Sequence, residues 1–133
     1  QEFIKFRSNN RKFLLQNDID LACKLGFDGI HFSSNFIHLL KDTPPNLIKI
    51  ASTHNIKEIE LVNQYGADFI TFSPIFATPN KGEPKGLEAL KEAVKISKAK
   101  VIALGGIMSA EQICAVMKCG VAGFASIRYF TLD

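Results

Sequence analysis

The sequence has no tryptophan, no long uninterrupted apolar run, and only three cysteines among its 133 residues. No stretch approaches the roughly 18 consecutive apolar residues of a membrane-spanning helix, and no signal-peptide pattern opens the chain. Because the cysteines are odd in number and form no C-x-x-C pair, neither a disulfide framework nor a zinc site is expected. These absences predict a cytoplasmic protein with no membrane partner.

A strong excess of charge of one sign is also missing. Sixteen Lys and Arg face thirteen Asp and Glu, which gives a net charge of +3. The bases are interspersed with acids, so the pattern argues only weakly for nucleic acid and modestly for an anionic small ligand. With 47% hydrophobic and 22% charged residues, the composition predicts a single globular domain over residues 1–133 that has no nucleic-acid partner.

Apolar runs of strand length alternate with helical patterns along the whole chain. Strands are predicted at 12–16, 29–32, 47–52, 69–73, 100–104 and 124–127, and helices at 18–25, 36–41, 55–65, 87–97 and 109–120. Three helix-to-strand joints share one design, in which Gly26, Gly66 or Gly120 ends a helix shortly before an apolar strand. Strands that alternate with helices imply βαβ units and a parallel sheet.

The repeated βα unit predicts an α/β fold of the (β/α)8 TIM-barrel type, with about six units present. A complete barrel needs about 200 residues or more, so we expect roughly the first two units to be missing. The chain would then be a fragment or would close its barrel with a second chain, for example as a homo-oligomer. A doubly wound open sheet is the alternative, but its Gly-x-Gly-x-x-Gly fingerprint is absent.

The active site of such a barrel lies at the carboxyl ends of its strands, where this sequence places polar residues. Gly105 and Gly106 precede a capped helix that starts at Ser109. Glycines allow backbone N–H groups to approach an anion, and a helix start adds positive charge, so this stretch is typical of a phosphate site. Arg128, just after the last strand, would add a bidentate contact. A tight turn that requires glycine is the alternative interpretation.

Two other strand-end regions carry candidate residues. Lys81 lies in the long loop over residues 74–85, where it would either reach a phosphate or stay in solvent. His54 follows a strand and could exchange protons near neutral pH, whereas His31 lies within a strand and is expected to be a satisfied interior histidine. No group of His, Cys and Asp has the spacing of a metal site.

Four motifs, in order along the chain, resemble the thiamine phosphate synthase/TenI superfamily. They are Ile50–Asn55, Gly66–Lys81, Lys85–Leu90 and Ala103–Ile107. Members are (β/α)8 barrels; the synthases join a pyrimidine diphosphate to a thiazole phosphate with Mg²⁺, and TenI-type members move a proton on a thiazole phosphate carboxylate. The resemblance covers the whole chain, from the third strand of that family to its eighth.

The resemblance implies particular roles for residues of this chain. Ser52 would lie near the diphosphate, Lys81 matches a lysine that synthases place on it, and His54 matches the proton-transfer histidine of TenI-type enzymes. The resemblance also implies that Thr78, Asn80 and Gly106 surround the thiazole phosphate, and Gln16 is a polar residue at the end of the first strand. The predicted site therefore consists of a catalytic His54 and a substrate-binding set of Gln16, Ser52, Thr78, Asn80, Lys81, Gly105, Gly106 and Arg128.

The chain departs from the synthase pattern where magnesium would bind. Alignment places Asn17 at one magnesium aspartate and Phe36 at the other, so most of the anionic field that a hard dication needs is gone. We therefore expect a TenI-like thiazole tautomerase that acts on a small phosphorylated thiazole without a metal or other cofactor. One alternative is a synthase with Mg²⁺, in which a one-residue shift makes Asp18 the ligand. The other is a non-catalytic thiazole-phosphate-binding or regulatory barrel.

Overall fold

The computed structural model describes residues 2–131 as six strands, five α-helices and two 3-10 helices. The strands are β1 (Leu14–Gln16), β2 (Gly29–Phe32), β3 (Ile48–Thr53), β4 (Phe69–Phe72), β5 (Lys100–Leu104) and β6 (Gly123–Ala125). The helices are α1 (Ile19–Leu25), α2 (Ile56–Tyr65), α3 (Gly86–Ile96), α4 (Ala110–Met117) and α5 (Arg128–Thr131), with 3-10 helices at Glu2–Phe6 and Ser34–Asp42. Within this range, no helix has the length and apolar character needed to cross a membrane.

All six strands form one parallel sheet in the order β1-β2-β3-β4-β5-β6. Each strand pairs with the next one along the chain, for example Ser52 with Thr71 and Thr71 with Ile102. A doubly wound sheet would reverse this order at a switch point, whereas a TIM-type barrel keeps it. The predicted α/β fold of six barrel-type βα units is therefore confirmed.

The hydrophobic core lies between one face of the sheet and the helices. Alternate strand residues such as Ile30, Ala51 and Ile70 are fully buried there, together with Ile59 of α2 and Leu90 of α3. Because successive side chains of a strand point to opposite faces, the intervening residues lie on the other face, which is the barrel interior. These interior residues include His31, Ser52 and Thr71.

Four element predictions differ from the structure by two residues or more, or in type. The strand predicted at 12–16 begins at Leu14. The helix predicted at 36–41 is a 3-10 helix that begins at Ser34, two residues earlier. The strand predicted at 124–127 ends at Ala125, because the Ser126 hydroxyl accepts a hydrogen bond from the Tyr129 N–H (3.2 Å) and turns the chain into α5. The helix predicted to end at Gly120 stops at Met117, and a turn with a Gly120 N–H to Met117 carbonyl bond (3.3 Å) completes the joint.

Candidate active site

A cavity of about 620 Å³ opens beyond the carboxyl ends of β3 to β6. Every residue of the predicted site except Gln16 lines it. Gln16 is exposed at the end of β1, away from that lining. The fold thus brings together residues from four strand ends that are separated by up to 76 positions along the chain, from Ser52 to Arg128.

The glycine pair after β5 allows a very close approach between two loops. Both glycines have positive φ, +105° at Gly105 and +66° at Gly106. A Cβ on Gly106 would lie 2.6 Å from the Ala77 carbonyl oxygen and 2.8 Å from the Phe76 Cβ, and one on Gly105 would lie 2.7 Å from the Pro74 Cα. The tight-turn interpretation therefore has a firm packing basis, and the phosphate-binding role of these glycines remains a prediction beside it.

The long loop after β4 is fixed at its base by backbone hydrogen bonds. The Ile75 N–H donates to the Leu104 carbonyl and the Phe76 N–H to the Gly105 carbonyl, both at 3.0 Å, so the loop continues to pair beside β5. The Lys85 N–H closes the loop onto the Pro74 carbonyl (2.7 Å). This anchoring holds the tip of the loop, which includes the partly buried Thr78 and the exposed Asn80 and Lys81, at the mouth of the cavity.

The cavity suits an anion that carries an apolar ring. Lys81 and Arg128 contribute positive charge, and no Asp or Glu belongs to its described lining. Leu104 and Met108, both partly exposed, and the exposed Ile127 supply an apolar wall. A few convergent polar groups in a mostly apolar concave site are typical of a small-molecule pocket.

His54 is paired with a carboxylate at the start of α2. Its Nδ1 lies 3.2 Å from Oε2 of Glu58, and its backbone N–H donates to the same oxygen at 2.6 Å. The His54 side chain remains 43% exposed and borders the cavity. An imidazole at a cavity wall with a carboxylate behind it is an arrangement that can accept and return a proton.

Ser52 on the cavity wall is hydrogen-bonded to His31. The His31 Nε2 and the Ser52 Oγ are 2.9 Å apart. Burial disfavours the imidazolium and lowers the pKa of His31, so the ring is neutral near pH 7. This geometry agrees with the prediction of a satisfied interior histidine.

The residues present do not fit the magnesium site that the resemblance implies for synthases. Asp18 is the N-cap of α1, and its Oδ1 accepts the Leu21 N–H at 2.9 Å. The Asn17 side chain is bound to Ser33, whose N–H it accepts at 2.8 Å, and Phe36 supplies no oxygen. Within residues 2–131, no three His, Cys, Asp or Glu side chains gather where a metal could bind. We therefore derive no step through a metal ion.

Sequence reasoning missed several residues of this site. Glu58 is one of them, because the stretch Asn55-Ile56-Lys57-Glu58 fits a capping box and explains the glutamate without His54. Its spacing of four residues from His54 is a signal that points to the pair. Ser126 also borders the cavity, where its Oγ donates to the Ile107 carbonyl at 2.9 Å. The apolar wall escaped prediction because its residues carry no chemical signature.

Comparison with known proteins gives a consistent result. A family model described as "Thiamine monophosphate synthase" matches residues 5–130. The chain is 34% identical over 119 residues to a thiamine-phosphate synthase from Methanococcus vannielii, covering 86% of this chain and 57% of that protein. It is 36% identical over 121 residues to a putative thiamine-phosphate synthase from Aquifex aeolicus, covering 88% of this chain and 64% of that protein.

A solved structure shows the same relationship. The thiamine phosphate pyrophosphorylase from Pyrococcus furiosus superposes with a TM-score of 0.76 at 31% identity, covering 89% of this chain and 58% of that one. The chain thus spans a little over half the length of these proteins. Matched in sequence over residues 5–130 and in fold over most of its length, the chain belongs to the thiamine monophosphate synthase family.

Proposed function

We propose that the chain carries the thiazole-phosphate site of a thiamine-phosphate synthase, which joins a thiazole phosphate to a pyrimidine diphosphate. The cavity beyond β3 to β6 is the observation that supports this function. It combines two cations, an apolar wall and a glycine loop that leads into the N-terminus of α4. A helix N-terminus and cations favour a phosphate, and the apolar wall favours an uncharged ring.

The relatives favour the synthase over the tautomerase that the sequence departures suggested. The two relatives described above carry synthase names. Another Aquifex aeolicus relative, 32% identical and covering 96% of this chain, carries one as well. Their names give no support to the TenI-like prediction. Because the chain spans only part of their length, the complete reaction is part of the proposal.

Several groups that line the cavity have a role in this proposal. Arg128 and the backbone around Gly106 hold the phosphate of the thiazole, and Leu104 and Met108 pack against its ring. Lys81, exposed at the tip of the long loop, faces the diphosphate that leaves the pyrimidine, as a point charge. Ser52, oriented by its bond to His31, contributes a hydroxyl at the floor of the same site.

A proton-transferring tautomerase is a second candidate, and two observations favour it. His54 and Glu58 form an imidazole–carboxylate pair at the cavity wall, and the residues implied for magnesium do not make a metal site. A proton shift on a bound thiazole phosphate carboxylate needs an acid/base group and a phosphate site. His54 would supply the first, and the proposed phosphate site at Gly106 and Arg128 the second.

Product analysis of the purified chain tests both candidates. Thiamine phosphate formed from thiazole phosphate and the pyrimidine diphosphate supports the synthase, and loss of that product with EDTA would show that a metal takes part. Turnover of the thiazole carboxylate tautomer alone, unaffected by EDTA, supports the tautomerase instead. Tight binding of thiazole phosphate with neither product would contradict both and leave a non-catalytic binding protein.

A further inference from the structure

We infer that Glu58 is a positioning residue that holds His54 in the Nδ1–H tautomer and leaves its Nε2 as the proton acceptor at the cavity. The inference rests on the tautomerase candidate of the proposed function for the proton transfer itself, and on the proposed cavity for the place of the reacting ligand. The pairing itself is a property of the free protein and can be measured without any ligand.

The hydrogen-bond geometry decides which nitrogen carries the proton. Glu58 Oε2 lies 3.2 Å from His54 Nδ1. An ionised carboxylate only accepts hydrogen bonds, so the neutral imidazole pairs with it by placing its single proton on Nδ1. Within residues 2–131, His54 Nε2 has no hydrogen-bond partner. The basic lone pair of the ring is therefore on the nitrogen that is not engaged with Glu58.

The carboxylate is itself fixed by the start of α2. Its Oε2 accepts the backbone N–H of His54 at 2.6 Å, and the Asn55 side chain accepts the Glu58 N–H at 3.0 Å. The Glu58 side chain is only 26% exposed. An acceptor held by the backbone in this way orients the ring of His54 before any ligand binds, which lowers the cost of ordering it during a reaction.

The start of α4 shows that helix capping alone does not require a carboxylate at this position. There, Gln112 occupies the same place relative to the N-cap Ser109, and its Oε1 accepts the Met108 N–H at 2.7 Å. A neutral amide thus makes the backbone bond that Glu58 makes to His54. What differs is the preceding residue, because Met108 has no imidazole to orient. For this reason the negative charge of Glu58 is explained by its interaction with the His54 ring and not by helix capping.

The paired ring would move a proton without net change in charge at the site. Nε2 accepts a proton from the bound ligand, the electron pair of the broken bond stays on the ligand, and the imidazolium is stabilised by the Glu58 carboxylate. The same proton then returns to another atom of the ligand, and Nδ1 keeps its own proton throughout.

The ¹⁵N chemical shifts of the neutral histidine rings test the inference directly. We expect His54, identified by its absence from the spectrum of His54→Gln, to be mainly in the Nδ1–H form in the free protein. Glu58→Gln should lower the ratio of Nδ1–H to Nε2–H by about tenfold, since a hydrogen bond to a charged group is lost. Gln112→Glu, the matched change at α4, should leave the ratio unaltered. A wild-type His54 mainly in the Nε2–H form would overturn the inference without the need for any variant.

Kinetic measurements separate positioning from a merely structural role. Glu58→Gln should lower kcat for turnover of the thiazole carboxylate tautomer by about tenfold and leave KM unchanged, because only the acid/base step loses its support. An equal tautomer ratio in Glu58→Gln and wild type would refute the positioning role even if kcat fell. Failure of thiazole phosphate to bind the wild type would instead contradict the proposed function, and the tautomer measurement would still stand on its own.

Discussion

Replacing Gly106 by alanine should damage both the stability of the fold and the ligand site. Gly106 has a φ of +66°, and an added Cβ would lie 2.6 Å from the Ala77 carbonyl oxygen and 2.8 Å from the Phe76 Cβ. These two atoms belong to the backbone or are bonded directly to it, so neither can rotate away from the added Cβ. The loop after β4 must therefore move, and with it the tip that carries Lys81.

The structure allows the size of this effect to be worked out. A left-handed backbone costs a non-glycine residue about 1–2 kcal/mol, and overpacking of a tight contact costs about 1–3 kcal/mol. Together these give a loss of about 2–5 kcal/mol in the free energy of unfolding. Gly26→Ala is the matched control, because Gly26 has a similar φ of +70° and nothing lies within 4 Å of its added Cβ. That control should lose only about 1–2 kcal/mol.

Urea unfolding of the two variants and the wild type measures the difference in the free energy of unfolding. The m-values are compared to show that the variants unfold in the same way as the wild type. Thiazole-phosphate affinity should fall in Gly106→Ala and stay unchanged in Gly26→Ala, which lies at the end of α1. Equal losses of stability in the two variants would refute the claim that close packing of the two loops requires glycine at position 106.

Three further predictions concern other residues of the site and of the sheet. Arg128→Met should weaken thiazole-phosphate binding by about tenfold in titration calorimetry, whereas Lys118→Met, outside the cavity, should not; equal affinities for wild type and Arg128→Met would remove Arg128 from the site. Thr71→Val should stabilise the fold by about 1 kcal/mol, because the buried Thr71 hydroxyl has no hydrogen-bond partner in the described chain. Thr53→Val should destabilise it by a similar amount, because the Thr53 hydroxyl donates to the Thr71 carbonyl at 2.8 Å. A melting temperature lower for Thr71→Val than for Thr53→Val would contradict this prediction. Burial lowers the pKa of His31 below its ordinary value of 6.5. The stability that the neutral ring contributes is therefore complete above pH 6.5 and is lost as the pH falls through the lowered folded-state pKa. His31→Gln should reduce the fall of the urea midpoint below pH 6.5, and an unchanged pH profile would contradict this.

The fold could be predicted because its signals are local. Apolar runs, glycine joints and the N-caps at Asn55 and Ser109 each act over a few residues, and the strands and helices they predict are present. The errors occur where hydrogen bonding decides an end. Ser126 ends β6 through its side chain, and the choice between 3-10 and α-helix at residues 34–42 depends on backbone geometry that periodicity does not encode.

The candidate site was only partly predictable for a different reason. The strand-end rule brought most of the polar residues to one cavity, but it also included Gln16, which lies at the end of the edge strand β1 and outside the lining. The pairing of Glu58 with His54 was hidden because the same glutamate also fits a capping pattern. The close approach of Gly106 to the loop after β4 depends on contacts between distant segments, which sequence spacing does not show.

The central claim is that the cavity beyond β3 to β6 binds the phosphate of a thiazole phosphate. Titration calorimetry of the purified chain, first with thiazole phosphate and then with the corresponding unphosphorylated thiazole alcohol, tests it most directly. We expect one molecule of thiazole phosphate bound per chain, at least about tenfold tighter than the alcohol, because charge-assisted contacts to the phosphate are lost in the alcohol. Equal affinity for the two compounds, or no binding of either, would contradict the claim.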